Sequence, residues 1–233
     1  MGYVFPLLML PGFITNSMSV PLIPAISEAN EKKESSLIHK RIQQSVKISL
    51  IVGVPSTIIL FCFADTLTTL IYKSPDSAAL LKIMAPFFLL QYFRIPLQSI
   101  LIGLGRANIV MINDLVATVF KLLLIFVLAS DPDYGIYGVS LGICAGIVLG
   151  TLLHFCTIAK IIGFNLMFTD FIKVVISGVI MGFIGIFSFN QLNGEINNQI
   201  LTLLISLTLS LIIYLLFLIS FKVIEIRKNN LLH

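Results

Sequence analysis

The chain has 233 residues, 58% of them hydrophobic and 11% charged, and a mean hydropathy of +1.04. Soluble domains carry about 25% charged residues, so this composition excludes an ordinary water-soluble globular fold. The formal charge of +4 is scattered over short segments between apolar runs, which argues against a single basic surface for nucleic acid, and no nucleic-acid partner is expected.

Apolar runs at residues 3–26, 48–72, 79–104, 109–129, 135–158, 171–189 and 200–221 are each close to the ~20 residues a helix needs to cross a bilayer. They are continuously apolar, unlike the alternating strands of a barrel. The expected fold class is therefore all-α: a polytopic membrane bundle of seven transmembrane helices, forming one transmembrane domain over residues 1–233.

The first run has no basic flank before it and no small-residue cleavage site after it, so it is expected to stay as a span. It contains Pro6, Pro11, Pro21 and Pro24; Pro55 interrupts the second run, and Pro86 and Pro96 the third. Each interior proline removes a backbone donor and bends its helix, either as a static kink or as the broken helix of a transporter. Between the first two runs, residues 28–47 carry Glu28, Glu31, Lys32, Lys33 and Glu34, then Lys40 and Arg41. This segment is read as a solvated amphipathic cytoplasmic loop, with contact to anionic lipid headgroups as the alternative. The remaining early connections, at 73–76, 103–106 and 130–135, are rich in Gly, Pro and Asp and read as tight turns joining antiparallel neighbours.

The fifth run has Gly138, Gly142, Gly146 and Gly150 at every fourth residue, which places them on one helix face. Small residues so spaced let another backbone approach closely, either inside the bundle or in a dimer. Gly178, Gly182 and Gly185 repeat the pattern in shorter form in the sixth run. Cys62, Cys144 and Cys156 fall inside spans and are odd in number, which argues against a disulfide framework. His39, His154 and His233 are isolated from one another in sequence, and no Cys/His pair has ligand spacing; no metal site and no cofactor are expected.

Basic residues sort by side. Lys32, Lys33, Lys40, Arg41, Lys47, Arg106, Lys160, Lys173, Lys222, Arg227 and Lys228 fall on one side and only Lys73 and Lys82 on the other. The first side is assigned to the cytoplasm. An odd number of crossings then puts Met1 outside and His233 inside, with Asp76, Asp131, Asp133 and Glu195 on the outer face.

Two cations fall within spans: Arg94 and Lys121. Counted from the cytoplasmic ends of their helices, they lie about 15 Å and about 18 Å deep. Charge at that depth is costly and faces a cavity or a partner. Gln91, Arg94 and Gln98 share one face of the third span, and Asp114, Thr118 and Lys121 one face of the fourth. Asp114 sits about 10 Å nearer the cytoplasm than Lys121 along their helix, so no carboxylate is expected at the depth of the cations. A lipid-linked anionic substrate is expected to supply that charge. The competing reading has Lys121 snorkelling or pairing outside the chain, and Arg94 capping carbonyls freed by Pro96. No Ser/His/Asp set or phosphate-binding Gly-Lys loop is present, so no enzyme is expected.

The segments Pro21-Leu-Ile-Pro-Ala-Ile-Ser-Glu-Ala29, Leu101-Ile-Gly-Leu-Gly-Arg106 and Lys121-Leu-Leu-Leu resemble the stage V sporulation protein B family. That family belongs to the multidrug/oligosaccharidyl-lipid/polysaccharide flippase superfamily. The resemblance covers most of the chain and implies a carboxy-terminal half of a protein of about fourteen spans in two lobes, aligned with its last seven. It further implies translocation of an undecaprenyl-pyrophosphate-linked cell-wall or polysaccharide precursor across the bacterial cytoplasmic membrane, for sporulation or envelope synthesis. Because the other lobe would have to come from elsewhere, the expected partners are membrane lipids and either a separate amino-terminal half chain or a second copy of this one. The alternatives are a cation-coupled multidrug-type exporter, for which Asp114 is the carboxylate, and a non-transporting membrane scaffold or partner subunit.

Overall fold

In a computed structural model that describes residues 1–163, 168–196 and 198–223, the described residues form nine helices and no strands. Arg227, Lys228 and His233, used above for orientation, lie outside the described residues. Seven helical stretches are long and apolar enough to cross a membrane. The chain divides into two compact units, residues 1–166 and 167–233.

In the first unit the opening span is two helices, α1 (Val4–Ser19) and α2 (Leu22–Glu31). Pro21 and Pro24 explain the break, because neither can donate to the carbonyl four residues earlier and each ring clashes there. The second span is α3 (Ser35–Cys62) followed by α4 (Ala64–Tyr72), with Phe63 between them. Then come α5 (Ser77–Gly103), α6 (Ala107–Ala129) and α7 (Gly135–Ile162). The turn expected at 103–106 is tight: Gly105 has φ +72°, and Arg106 N–H donates to the Leu101 carbonyl at 2.9 Å. A side chain disfavours that left-handed backbone, which glycine adopts freely.

Most of the segment read as a loop at 28–47 is helical, and this corrects the expectation. Ile38, Ile42 and Val46 are buried at four-residue spacing against Leu22, Ile26 and Ala29 of α2 and Leu97, Ile100 and Leu101 of α5. The polar residues between them kept the stretch from registering as an apolar run. One buried stripe is enough to hold an amphipathic helix, which is how α3 begins thirteen residues earlier than the 48–72 run.

Contacts fix the directions of the helices. Phe5 and Leu8 of α1 meet Phe88 and Tyr92 of α5, while Ile23 and Ile26 of α2 lie beside Gly103. The first and third spans therefore run parallel. α7 also runs parallel to α5, with Thr151 Oγ1 donating to the Leu90 carbonyl at 3.2 Å and His154 beside Gln98. α6 runs against α7, and this is where the glycine face of α7 lies. A Cβ on Gly138 would sit 2.5 Å from the Leu128 carbonyl oxygen, and one on Gly142 2.9 Å from the Ile125 nitrogen. The two backbones approach closely because no Cβ intervenes, the arrangement expected where lipid supplies no hydrophobic drive for helix association.

In the second unit, α8 (Phe168–Glu195) packs on α9 (Gln199–Ser220). Asn198 caps α9 by accepting from the Ile200 and Leu201 amides at 3.1 and 3.3 Å. Lys173 Nζ donates to the Phe221 carbonyl at 3.3 Å. Gly178, Gly182 and Gly185 on α8 are buried.

Candidate functional site

The polar stripes of α5 and α6 meet, and each divides into two parts. One part is a closed network. Asp114 Oδ1 accepts from Arg94 Nη2 at 2.7 Å and from His154 Nε2 at 2.9 Å, while Gln98 Nε2 donates to Oδ1 and Oδ2 at 3.0 and 2.8 Å. On the far side of the imidazole, Asn113 Nδ2 lies 3.4 Å from His154 Nδ1 and donates to Thr157 Oγ1 at 3.2 Å. These contacts are mutually consistent when His154 is neutral with its proton on Nε2, a tautomer assigned from the network. The His154 side chain is fully buried, whereas that of Arg94 is 18% exposed and that of Asp114 35%.

The second part is a cavity of about 400 Å³ between α1, α5, α6 and α7. Gln91 and Arg94 of α5 line one wall and Thr118 and Lys121 of α6 another, with Phe5, Met9 and Phe88 supplying apolar surface. Four of the residues singled out from sequence thus face one space, while Gln98 and Asp114 belong to the network behind it. Arg94 belongs to both. One of its five donors engages Asp114, which leaves the others for a cavity ligand. Among the described residues, Lys121 has no ion-pair partner. The Oε1 atom of Gln91 is buried without a hydrogen-bond partner among the described residues, a state that costs about 1–3 kcal/mol until a donor arrives.

The glycine face of α7 shapes this cavity. A Cβ on Gly146 would lie 2.7 Å from Lys121 Cβ, and one on Gly150 3.1 Å from Arg94 Cζ and 3.3 Å from Ala117 Cβ. The stem of Lys121 and the guanidinium of Arg94 therefore occupy the space that side chains at these positions would fill. Read from sequence, the glycines concerned packing and the cations concerned binding; the fold places them in one feature.

Two sequence expectations need correction. A carboxylate does reach one of the cations: Asp114 pairs with Arg94. The depth comparison set Asp114 against Lys121 on the same helix, whereas the nearer cation lies across the turn. Counted from that turn, Arg94 and Asp114 differ by only about 4 Å along the helix axis, less than the reach of an arginine side chain. Arg94 accordingly engages Asp114, and the proposed capping of carbonyls freed by Pro96 is not among its side-chain hydrogen bonds. His154, set aside as isolated, is part of the site. Its signal was register, since it continues the series 138, 142, 146, 150 by one further turn and so shares the face turned toward α5 and α6.

Seven span-length apolar helices, with a charged network held between three of them, define a multi-pass membrane protein of the helical-bundle class. Residues 3–79 match the family described as lipid II flippase MurJ. Stage V sporulation protein B of Bacillus subtilis (strain 168) is 43% identical over 183 residues, covering 78% of this chain and 35% of that protein. Sporulation protein YkvU of the same organism is 36% identical over 150 residues, covering 64% of this chain and 34% of that protein. Its uncharacterized membrane protein YabM is 26% identical over 140 residues, covering 60% and 26%. No solved structure matches the chain. Over most of its length the chain is thus similar to stage V sporulation protein B, and over its first third to the lipid II flippase family. It spans about a third of the length of the first two of these curated relatives.

Proposed function

We propose that the chain is a working part of a flippase-like membrane transporter, and that the cavity between α1, α5, α6 and α7 receives the anionic headgroup of a polyprenyl-diphosphate-linked precursor of the cell wall or of a polysaccharide. The observation that carries this reading is the convergence of Gln91, Arg94, Thr118 and Lys121 on one cavity in which Lys121 has no ion-pair partner among the described residues. A diphosphate meets both cations, Arg94 as a fork and Lys121 as a point charge. The similarity to a lipid II flippase family supports a transporter over an enzyme. The relatives' greater length supports a transport cycle in which this chain works with the remainder of the fold, supplied by another lobe or by a second copy. The basic residues favour insertion in the bacterial cytoplasmic membrane with Met1 outside and the carboxy terminus inside.

The test is binding of farnesyl diphosphate, farnesyl monophosphate and farnesol to the purified chain and to Lys121→Gln. The reading expects affinity to fall in that order, and the diphosphate to lose about tenfold in the variant, as loss of one charge-assisted contact predicts. Equal binding of farnesol and farnesyl diphosphate overturns it.

A further inference from the structure

The break in the first span opens a second cavity, of about 180 Å³, toward the first turns of α3. It shares no lining residue with the cavity of Arg94 and Lys121. Arg41, Gln44 and Ser45, at i, i+3 and i+4 on α3, form its polar wall, and Met18, Leu22 and Ile48 its apolar one. Among the described residues, no carboxylate pairs with Arg41, and Glu28 of α2 is taken by Lys32 at 2.5 Å. From Ser35 to Ile48 the sequence carries Lys40, Arg41 and Lys47 and no acidic residue.

Two features point to a ligand that is part anion and part hydrocarbon. Arg41 lies about 10 Å along α3 ahead of Ile48, where the continuous apolar run begins, which is the level of lipid headgroups. Beside the cavity, the end of α1 and the residue that follows it turn apolar side chains outward: Met18 is 46% exposed and Val20 65%. A soluble anion has no use for such a surface, whereas an acyl chain does.

We propose that this cleft binds the phosphodiester headgroup of an anionic glycerophospholipid. The phosphate accepts from the Arg41 guanidinium, the Gln44 amide and the Ser45 hydroxyl, and the acyl chains lie outside along α1 over Met18 and Val20. The site is a fixed lipid position at the kinked first span, independent of what the other cavity carries.

The experiment is native mass spectrometry of the full chain released from nanodiscs of phosphatidylcholine with a minor share of phosphatidylglycerol. Wild type is expected to retain phosphatidylglycerol in preference to phosphatidylcholine. Arg41→Gln should lower that retention about tenfold and Gln44→Glu by a similar factor, while Lys40→Gln, a neighbouring charge outside the cleft, changes it less than about twofold. Because Arg41 and Gln44 are exposed, these variants leave the packed face of α3 intact. Equal retention of the two lipids overturns the proposal. So does an equal loss in the Arg41 and Lys40 variants, which marks unspecific charge attraction, and so does displacement of the lipid by millimolar inorganic phosphate, which marks a free-anion site.

Discussion

Alanine substitution along the glycine face of α7 should reverse the usual effect of that change. In an ordinary helix interior, Gly→Ala stabilises by about 1 kcal/mol through backbone entropy. At Gly138 the new Cβ would stand 2.5 Å from the Leu128 oxygen, 2.6 Å from its carbonyl carbon and 3.0 Å from the Ala129 nitrogen. All three are backbone atoms of the facing helix segment, so no rotamer can relieve the clash. Restoring contact near 3.5 Å requires the helices to part by about 1 Å, against an overpacking cost of about 1–3 kcal/mol. Because the clash is with backbone, the cost falls in the upper part of that range, about 2–3 kcal/mol; less the gain of about 1 kcal/mol, the net expectation is a destabilisation of about 1–2 kcal/mol, or a fall of about 2–8 °C in Tm if the scale for soluble domains of this size is carried over. Gly142→Ala should behave in the same way, since its Cβ meets Ile125 N at 2.9 Å. Gly150→Ala should differ: its nearest neighbour is the guanidinium carbon of Arg94, at 3.1 Å, a side-chain end that can shift where backbone cannot. Its stability should change little while diphosphate binding weakens. The assay is heating in detergent followed by size-exclusion of the fraction that stays monodisperse. If Gly138→Ala and Gly142→Ala melt at or above the wild-type temperature, α7 does not meet α6 along its glycines and the reasoning fails.

Lys121→Gln should leave membrane abundance unchanged while abolishing transport by the assembled protein, measured by translocation of a lipid-linked precursor; normal transport would remove Lys121 from the substrate path. Asp114→Asn should cost about 1–2 kcal/mol, allowing for the partial exposure of the pair, and Arg94→Gln in the same chain should recover part of that loss in a double-mutant cycle. Purely additive effects would show that the 2.7 Å contact carries no coupling. In a chain with Cys62, Cys144 and Cys156 replaced, Asp133→Cys should react with an impermeant maleimide on intact cells, and Lys33→Cys only after permeabilisation. The opposite pattern would invert the proposed topology.

Much of the fold was legible because membrane helices must satisfy their backbone internally, so span length and continuous hydrophobicity mark them directly. The start of α3 was not legible by that criterion. Its stripe of Ile38, Ile42 and Val46 is buried by α2 and α5 and is interrupted in sequence by Lys40, Arg41, Gln43 and Gln44. Within the candidate site, the two cations stood out because charge in an apolar run is expensive. His154 did not, because a neutral imidazole carries no such cost, and only its register on the glycine face connected it to Asp114.

Local composition and periodicity are enough to give the span-length helices, two cations inside spans and one glycine face; they do not say which proline breaks its helix, since Pro11, Pro55, Pro86 and Pro96 all lie inside continuous helices. How these features combine follows from the packing of one helix on another. Arg94 pairs with Asp114 across a turn, Lys121 has no ion-pair partner among the described residues, and Gly146 and Gly150 make room for both basic side chains. Those outcomes depend on the rotation and axial offset of neighbouring helices, set by close packing along the whole interface and not by any residue alone.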